Sequence, residues 1–251
     1  SLAASTSTNI YMYYGNPSAT TTSNGTATFI ETFENSDTGF IDFEDYELGD
    51  LVGQHGWTIE SNTGVMEVVT STDSGKVAKV VKKDGGLLSY VVRSKYFDAT
   101  SSPSVHSNIA VSIWAKPSNN AGDQYYFLTA APDGSDRFTT GDHSDSSAYW
   151  EYWDGSWHTT SVTKDVNQWQ KIEYRYNGTN LKVYIKGENV YTGTRNTGTI
   201  GPAAFETNDT DDDYMLFDNI AVRKYIEPEP TIGTPGNEET SGAATSATGG
   251  S

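Results

Sequence analysis

Cysteine is absent from all 251 residues. That removes disulfides, iron–sulfur clusters, thiolate zinc sites and cysteine nucleophiles together. No apolar run approaches the roughly 18 residues of a membrane-spanning helix, so the chain is not expected to insert directly into a membrane. Basic residues are scarce: 16 Lys and Arg stand against 33 Asp and Glu, for a net charge of −17. A surface that negative repels phosphate backbones and anionic lipid, which disfavours nucleic acid and leaves divalent cations and neutral polymers such as glycans. Only four histidines are present, His55, His106, His143 and His158, and no two are spaced i,i+4. GxSxG, HExxH and glycine-rich phosphate loops are missing as well. Hydrophobic residues amount to only 35%, but 16 Tyr, 9 Phe and 6 Trp give enough aromatic bulk to bury a core.

The centre of the chain reads as short alternating strands between Gly, Asn, Asp and Ser clusters. In IAVSIWA, Ile109, Val111 and Ile113 oppose Ala110, Ser112 and Trp114. In QKIEYRY, Ile172, Tyr174 and Tyr176 oppose Lys171, Glu173 and Arg175. After a turn at Asn177-Gly178, Leu181, Val183 and Ile185 repeat the pattern, and Lys186-Gly187-Glu188-Asn189 makes another tight turn into Val190 and Tyr191. Period 2 with frequent turns predicts an all-β, antiparallel two-sheet sandwich or jelly roll. The expected division is a strand-bearing segment over residues 1–33, a sandwich over 34–226 and a Pro/Gly/Ser/Thr-rich tail over 227–251. The tail has linker composition, as expected of a tethered module.

Three acidic stretches invite attention. FIDFEDYE is expected as a strand with Asp42 and Glu44 on one face and Asp45 on the other. In MLFDNIAV, Leu216, Asp218, Ile220 and Val222 are expected to share a face, and a carboxylate there is costly unless compensated. Ca²⁺ is a natural compensator, with Glu44 or Asp45 as its second ligand if the first and last strands lie side by side. The alternative is that Asp218 caps backbone amides. NDTDDDY (Asp209, Asp211, Asp213) lacks the Gly and distal Glu of an EF-hand loop and reads as a solvated loop; GDHSDS (Asp142, His143, Asp145) is a weaker metal pattern.

SSAYWEYWDGSWHTTS holds three of the tryptophans. Asp154-Gly155 predicts a two-residue hairpin turn pairing Trp153 with Ser156, Tyr152 with Trp157 and Glu151 with His158. Trp150, Tyr152 and Trp157 then share one face, with Tyr149, Glu151, Trp153 and His158 on the other. Indole rings suit the C–H faces of sugars, and carboxylates accept from hydroxyls. Trp150, Glu151, Tyr152, Trp153, Trp157 and His158 are therefore the candidate ligand contacts, unless one face is core and the other lies under a loop. Asn24, Asn177 and Asn208 open N-glycosylation sequons, compatible with an extracellular protein.

Residues 168–225 resemble the second half of a concanavalin A-like (laminin-G-like) jelly roll. In such domains a Trp opens a strand, as in NQWQKIEYRYNGTNLKVYIKGENVY, and the last strand reads like FDNIAVRKY. FEDYELGDLVGQHGWT resembles the opening strand and loop of the same class. IYMYYGNPSATTTSNGTATF is similar to the end of an uncharacterised domain common in archaeal surface proteins. The resemblance implies a curved sandwich, secretion, and glycan binding or adhesion. It also implies a Ca²⁺ site between first and last strands, which maps onto Glu44 or Asp45 and Asp218. Laminarinase-type relatives carry a Glu-x-Asp-x-x-Glu strand, but here FIDFED has Phe40 in place of the first Glu, and after Glu151 the chain reaches Asp154 and turns.

The expected function is a non-catalytic extracellular module at a cell surface, binding a glycan or polysaccharide. One rival is a filament or layer subunit exchanging strands with copies of itself, with Ile10, Met12 and Tyr14 on the donated face. The other is a glycoside hydrolase or lyase.

Overall fold

The computed structural model describes residues 40–55, 57–59, 64–82, 89–93, 108–118, 124–129, 137–143, 148–194, 203–207 and 214–229. They form sixteen strands. In chain order these are β1 (Phe40–Ile41), β2 (Gly49–Asp50), β3 (Trp57–Ile59), β4 (Gly64–Ser71), β5 (Gly75–Lys82), β6 (Ser89–Arg93), β7 (Ile109–Pro117) and β8 (Gln124–Thr129). Then come β9 (Arg137–Asp142), β10 (Tyr149–Trp153), β11 (Trp157–Thr163), β12 (Gln170–Tyr176), β13 (Asn180–Ile185), β14 (Glu188–Thr194), β15 (Ala203–Thr207) and β16 (Tyr214–Lys224). Among the described residues no helix is long and apolar enough to cross a membrane.

Two antiparallel sheets result. Sheet A runs β14-β13-β12-β7-β16-β5-β4-β2, with β1 added beside β16, and sheet B runs β11-β10-β9-β8-β15-β6-β3. The period-2 pattern explains the stacking. Ile172, Tyr174, Tyr176, Leu181, Val183 and Ile185 are buried, as are Val111 and Ile113 on the neighbouring β7. Their alternates Lys171, Arg175 and Lys182 stand on the outer face of sheet A. The sheets are joined across the core by Tyr174, whose hydroxyl donates to Thr140 Oγ1 at 2.6 Å, and by Trp150, whose indole N–H donates to Gln170 Oε1 at 2.9 Å. Lys186 (φ 53°) and Gly187 (φ 83°) form the two central residues of the turn that pairs Ile185 with Glu188. Two left-handed residues are what a type I′ turn requires.

The first and last strands do lie side by side: Phe40 pairs with Ala221 and Ile41 with Ile220. The extended strand expected for FIDFEDYE, however, stops at Ile41. Phe43 takes a left-handed backbone (φ 61°) and drops its ring into the core, 5.1 Å from Tyr46 and 6.4 Å from Trp57. Burying three aromatics outweighs continuing a two-residue ladder, so Asp42, Glu44 and Asp45 lie in a turn rather than on strand faces.

A second correction concerns β16. A bulge between Asp218 and Ala221, with Asn219 at φ 50°, breaks its alternation. Up to Phe217 the strand pairs with β5; from Ile220 it pairs with β1. Phe217 and Ile220 are both buried, so the core face changes parity at the bulge and Asp218 does not share it with Ile220.

The tail begins inside the fold rather than beyond it. Glu227 pairs with Lys182, and Glu229 reaches Arg175 at 3.0 Å and Arg223 at 2.5 Å. The proposed start of the sandwich at residue 34 lies outside the described residues, as do Ile10, Met12 and Tyr14.

Candidate functional site

The tryptophan hairpin folds with a different register from the expected one. Trp153 pairs with Trp157, Tyr152 with His158 and Glu151 with Thr159, leaving a three-residue loop Asp154-Gly155-Ser156. A one-residue slip exchanges the two faces of the returning strand. The tighter loop would have carried Trp157 inward and Val162 outward; Val162, the aliphatic residue of β11, is instead buried in the core.

The inner face of the hairpin is structural. Trp150 is fully buried, so its assignment as a ligand contact is corrected: it is a core residue joined to Gln170. Tyr152 is half-buried, stacked 5.5 Å from Phe138 and edge-on to Tyr191 at 5.4 Å. His158 lies at the rim, stacked on Tyr152 at 4.9 Å. Both Ser156 Oγ (2.9 Å) and Asp154 Oδ1 (3.0 Å) meet His158 Nε2. A catalytic relay needs the two on opposite ring nitrogens, so this trio cannot pass a proton through the ring.

The outer face is the candidate site. Trp153 and Trp157 meet edge to face at 5.7 Å, and the His143 ring lies parallel to Trp157 at 4.4 Å. On the same strand as Trp153, Glu151 is only 4% exposed. Its Oε2 accepts from the His143 amide at 2.8 Å and its Oε1 from Thr159 Oγ1 at 3.1 Å. Trp153 is also paired with Thr139 of β9, whose buried hydroxyl has no hydrogen-bond partner among the described residues. The arrangement offers indole surface from Trp153 and Trp157 and the exposed Thr159, with the carboxylate of Glu151 held in place behind the surface. His143, Thr159 and Thr139 went unrecognised as part of it, because only the cross-strand register brings them to Glu151 and Trp153.

The second acidic centre lies at the β1–β16 junction. Asp218 is 2% exposed and receives the Ser74 hydroxyl, the Asn219 amide at 2.7 Å and the Asn219 side-chain amide at 2.9 Å. Burial pushes its carboxyl up to about 6, and the nearby charges of Asp42 and Glu44 push the same way. Asp42 thus stands where Asp45 was expected; Asp45 is exposed in the turn. Glu44 Oε1 accepts from the Lys76 amide at 2.9 Å, across Gly75 (φ 73°), where a Cβ would collide with that carboxylate. Lys76 Nζ donates to the carbonyls of Glu44 (2.9 Å) and Tyr46 (2.7 Å). Among the described residues no three His, Cys, Asp or Glu side chains stand together as an ion-holding group. Asp218 therefore offers a buried carboxylate under like-charge pressure, rather than a finished ligand set.

Of the sequons, Asn177 uses its amide group within the fold: Nδ2 donates to Glu227 Oε2 at 3.0 Å, and Oδ1 accepts from the amides of Thr179 (3.2 Å) and Asn180 (2.7 Å). A glycan there would have to displace Glu227. Asn24, Asn208, His106, Asp145 and the Asp209–Asp213 cluster lie outside the described residues.

Several known structures share this fold. A sialidase superposes with a TM-score of 0.54 at 14% identity, over 73% of this chain and 18% of the sialidase. The conserved carbohydrate esterase of the Shiga toxin-encoding bacteriophage phi24B gives 0.52 at 14% identity, over 74% of this chain and 97% of that one. A GH43 protein from Bacillus licheniformis gives 0.50 at 11% identity, over 76% and 40%. The chain thus spans under a fifth of the sialidase and under half of the GH43 protein. No curated protein sequence matches it. Residues 1–60 match a family described only as a domain of unknown function, DUF2341. Residues 93–214 match the concanavalin A-like lectin/glucanases superfamily, and the two-sheet antiparallel sandwich is the fold that this match implies.

Proposed function

We propose that this chain is a non-catalytic carbohydrate-binding module, acting outside the cell in surface adhesion, and that it takes its glycan on the outer face of sheet B. The observation that carries this reading is the Trp153–Trp157 corner on the hairpin that carries buried Glu151. Indole faces stack on sugar C–H surfaces, while the Glu151 carboxylate behind the surface holds the Thr159 hydroxyl in place. The superfamily and the strongly acidic, sequon-bearing sequence are in keeping with it. A glycosidase places two carboxyl groups about 5–9.5 Å apart across the scissile bond.

Glycan-array binding by the wild type, followed by W153A and W157A, tests the proposal. Each substitution is expected to weaken binding by about tenfold or more, corresponding to roughly 1–3 kcal/mol of lost stacking, with cooperative unfolding retained. Binding unchanged in both variants would remove the site from sheet B. Polysaccharide turnover lost in E151Q would make the protein an enzyme.

We also propose Ca²⁺ as a ligand of Asp218, with Asp42 and Glu44 completing the site after Glu44 leaves the Lys76 amide. The support is a buried carboxylate beside two further acids, a costly state that a divalent cation relieves. Thermal melting in millimolar Ca²⁺ is expected above that in chelator, and D218N should abolish the difference. Identical melts would dismiss the metal.

A further inference from the structure

We infer that the outer face of sheet A carries a second ligand site, one that recognises carboxylate, and that the protein's own Glu229 and Glu227 occupy it until a uronic-acid polysaccharide displaces them. This site is on the opposite sheet from the tryptophan corner and does not depend on it.

Charge distribution gives the first reason. The chain has only 16 basic residues. Yet Lys171, Arg175, Lys182 and Arg223 all project from this one face, at positions fixed by the β16-β7-β12-β13 ladder, while Lys116 on the same face is paired with Asp73 at 2.8 Å. The floor is Glu173, 4% exposed, which receives Lys171 at 2.6 Å, Arg175 at 2.5 Å and Arg223 at 3.2 Å. Arg175 also lies over the Tyr184 ring, its guanidinium carbon 4.1 Å from the ring centroid. The two guanidinium groups are thus pre-positioned, and each keeps N–H donors to spare beyond Glu173.

Those spare donors already hold a carboxylate. Glu229 lies between Arg175 Nη1 (3.0 Å) and Arg223 Nη1 (2.5 Å), one oxygen on each, while Glu227 takes Lys182 and Asn177. Both glutamates come from the linker-like sequence EPEP and are side chains on a short strap rather than members of a strand. The fork is therefore a formed carboxylate receptor with an internal occupant. About 13 Å along the strands from Arg175, Trp114 is 39% exposed beside Lys171. A polymer of uronic acids supplies both a carboxylate for the fork and a ring face for Trp114. The group the fork already holds is a planar carboxylate with one oxygen on each guanidinium, which favours a uronate over a tetrahedral phosphate.

The pairs that hold the strap are partly solvent-exposed, so they mask the site by about tenfold rather than by many orders of magnitude. Calorimetric titration of the full chain with polygalacturonate at low salt, with dextran as the neutral control, tests this. E227Q/E229Q is expected to bind polygalacturonate about tenfold more tightly than wild type. Adding R223Q to that variant should reverse the gain, and added NaCl should weaken binding throughout. If R223Q unfolds, W114A in the same background reads the same face and is expected to weaken binding. Equal affinity of wild type and a cooperatively folded E227Q/E229Q, or no binding by either, overturns the inference. Loss of polygalacturonate binding in W153A/W157A would place the polymer on sheet B, which defeats this site while leaving the proposed function standing.

Discussion

A carboxylate buried to 2% exposure must be neutralised, paired or protonated, and Asp218 has only neutral donors in Ser74 and Asn219. Its carboxyl, raised by burial from an ordinary 3.8 to about 6, binds its proton more tightly in the folded chain than in the unfolded one. The folded state therefore gains protons relative to the unfolded state between those values, and stability falls as pH rises through that window. In chelator, D218N is expected to unfold at higher denaturant than wild type at pH 7–8, by up to about 3 kcal/mol. Below about pH 3 the difference should vanish, because Asp218 is then protonated in the folded and the unfolded wild type alike. Urea titrations across pH read this directly, and a D218N variant less stable than wild type at pH 8 in chelator would contradict it. Glu173 shows the opposite arrangement. Burial raises its carboxyl, but the Lys171 and Arg175 bonds overcome that and hold it below the ordinary range. Alternation singled out Asp218 and left Glu173 on an ordinary polar face, yet both are buried and only their neighbours decide which is compensated.

At the scale of elements, alternation was readable wherever one face of a strand is uniformly apolar. In β12 and β13 the expected and observed faces agree, while the turn expected over residues 186–189 is tighter than that, because β14 begins at Glu188. It failed where both faces carry aromatics. In YWEYWDGSWH hydrophobicity does not distinguish the registers, and Asp-Gly favours the two-residue loop locally. Burial of Val162 and the return of His158 to Asp154 and Ser156 select the three-residue loop instead. The consequence is spectroscopic. Trp153 and Trp157, 5.7 Å apart, should give an exciton couplet in far-ultraviolet circular dichroism. W153F or W157F is expected to remove it, while a couplet surviving both substitutions would favour the other register. The bulge at Asn219 was equally invisible, since it answers to β5 and β1 both needing the same edge of β16.

For the whole molecule, the stretches matched by the two families do not coincide with folding units. The lectin/glucanase match begins at residue 93, whereas β4 and β5 precede it and β5 pairs with β16 in the middle of sheet A. The DUF2341 match extends to residue 60 and so includes Phe43, Leu51 and Trp57, all fully or nearly fully buried in the sandwich core. Residues 93–214 produced alone are therefore expected to lack cooperative unfolding, while a chain beginning at residue 40 is expected to melt as one unit. A cooperative melt of 93–214 would show that the first six strands and β16 are dispensable. What the sequence determined by itself was an all-β, aromatic-cored sandwich and the chemistry available to it, because period-2 alternation, turn residues and the lack of cysteine act locally or by composition. Contacts distant in sequence decided the rest: the hairpin register, the burial of Trp150, Asp42 rather than Asp45 beside Asp218, and Glu229 between Arg175 and Arg223. Each depends on which strand occupies a neighbouring edge or face, a property of the closed sandwich that no single segment contains.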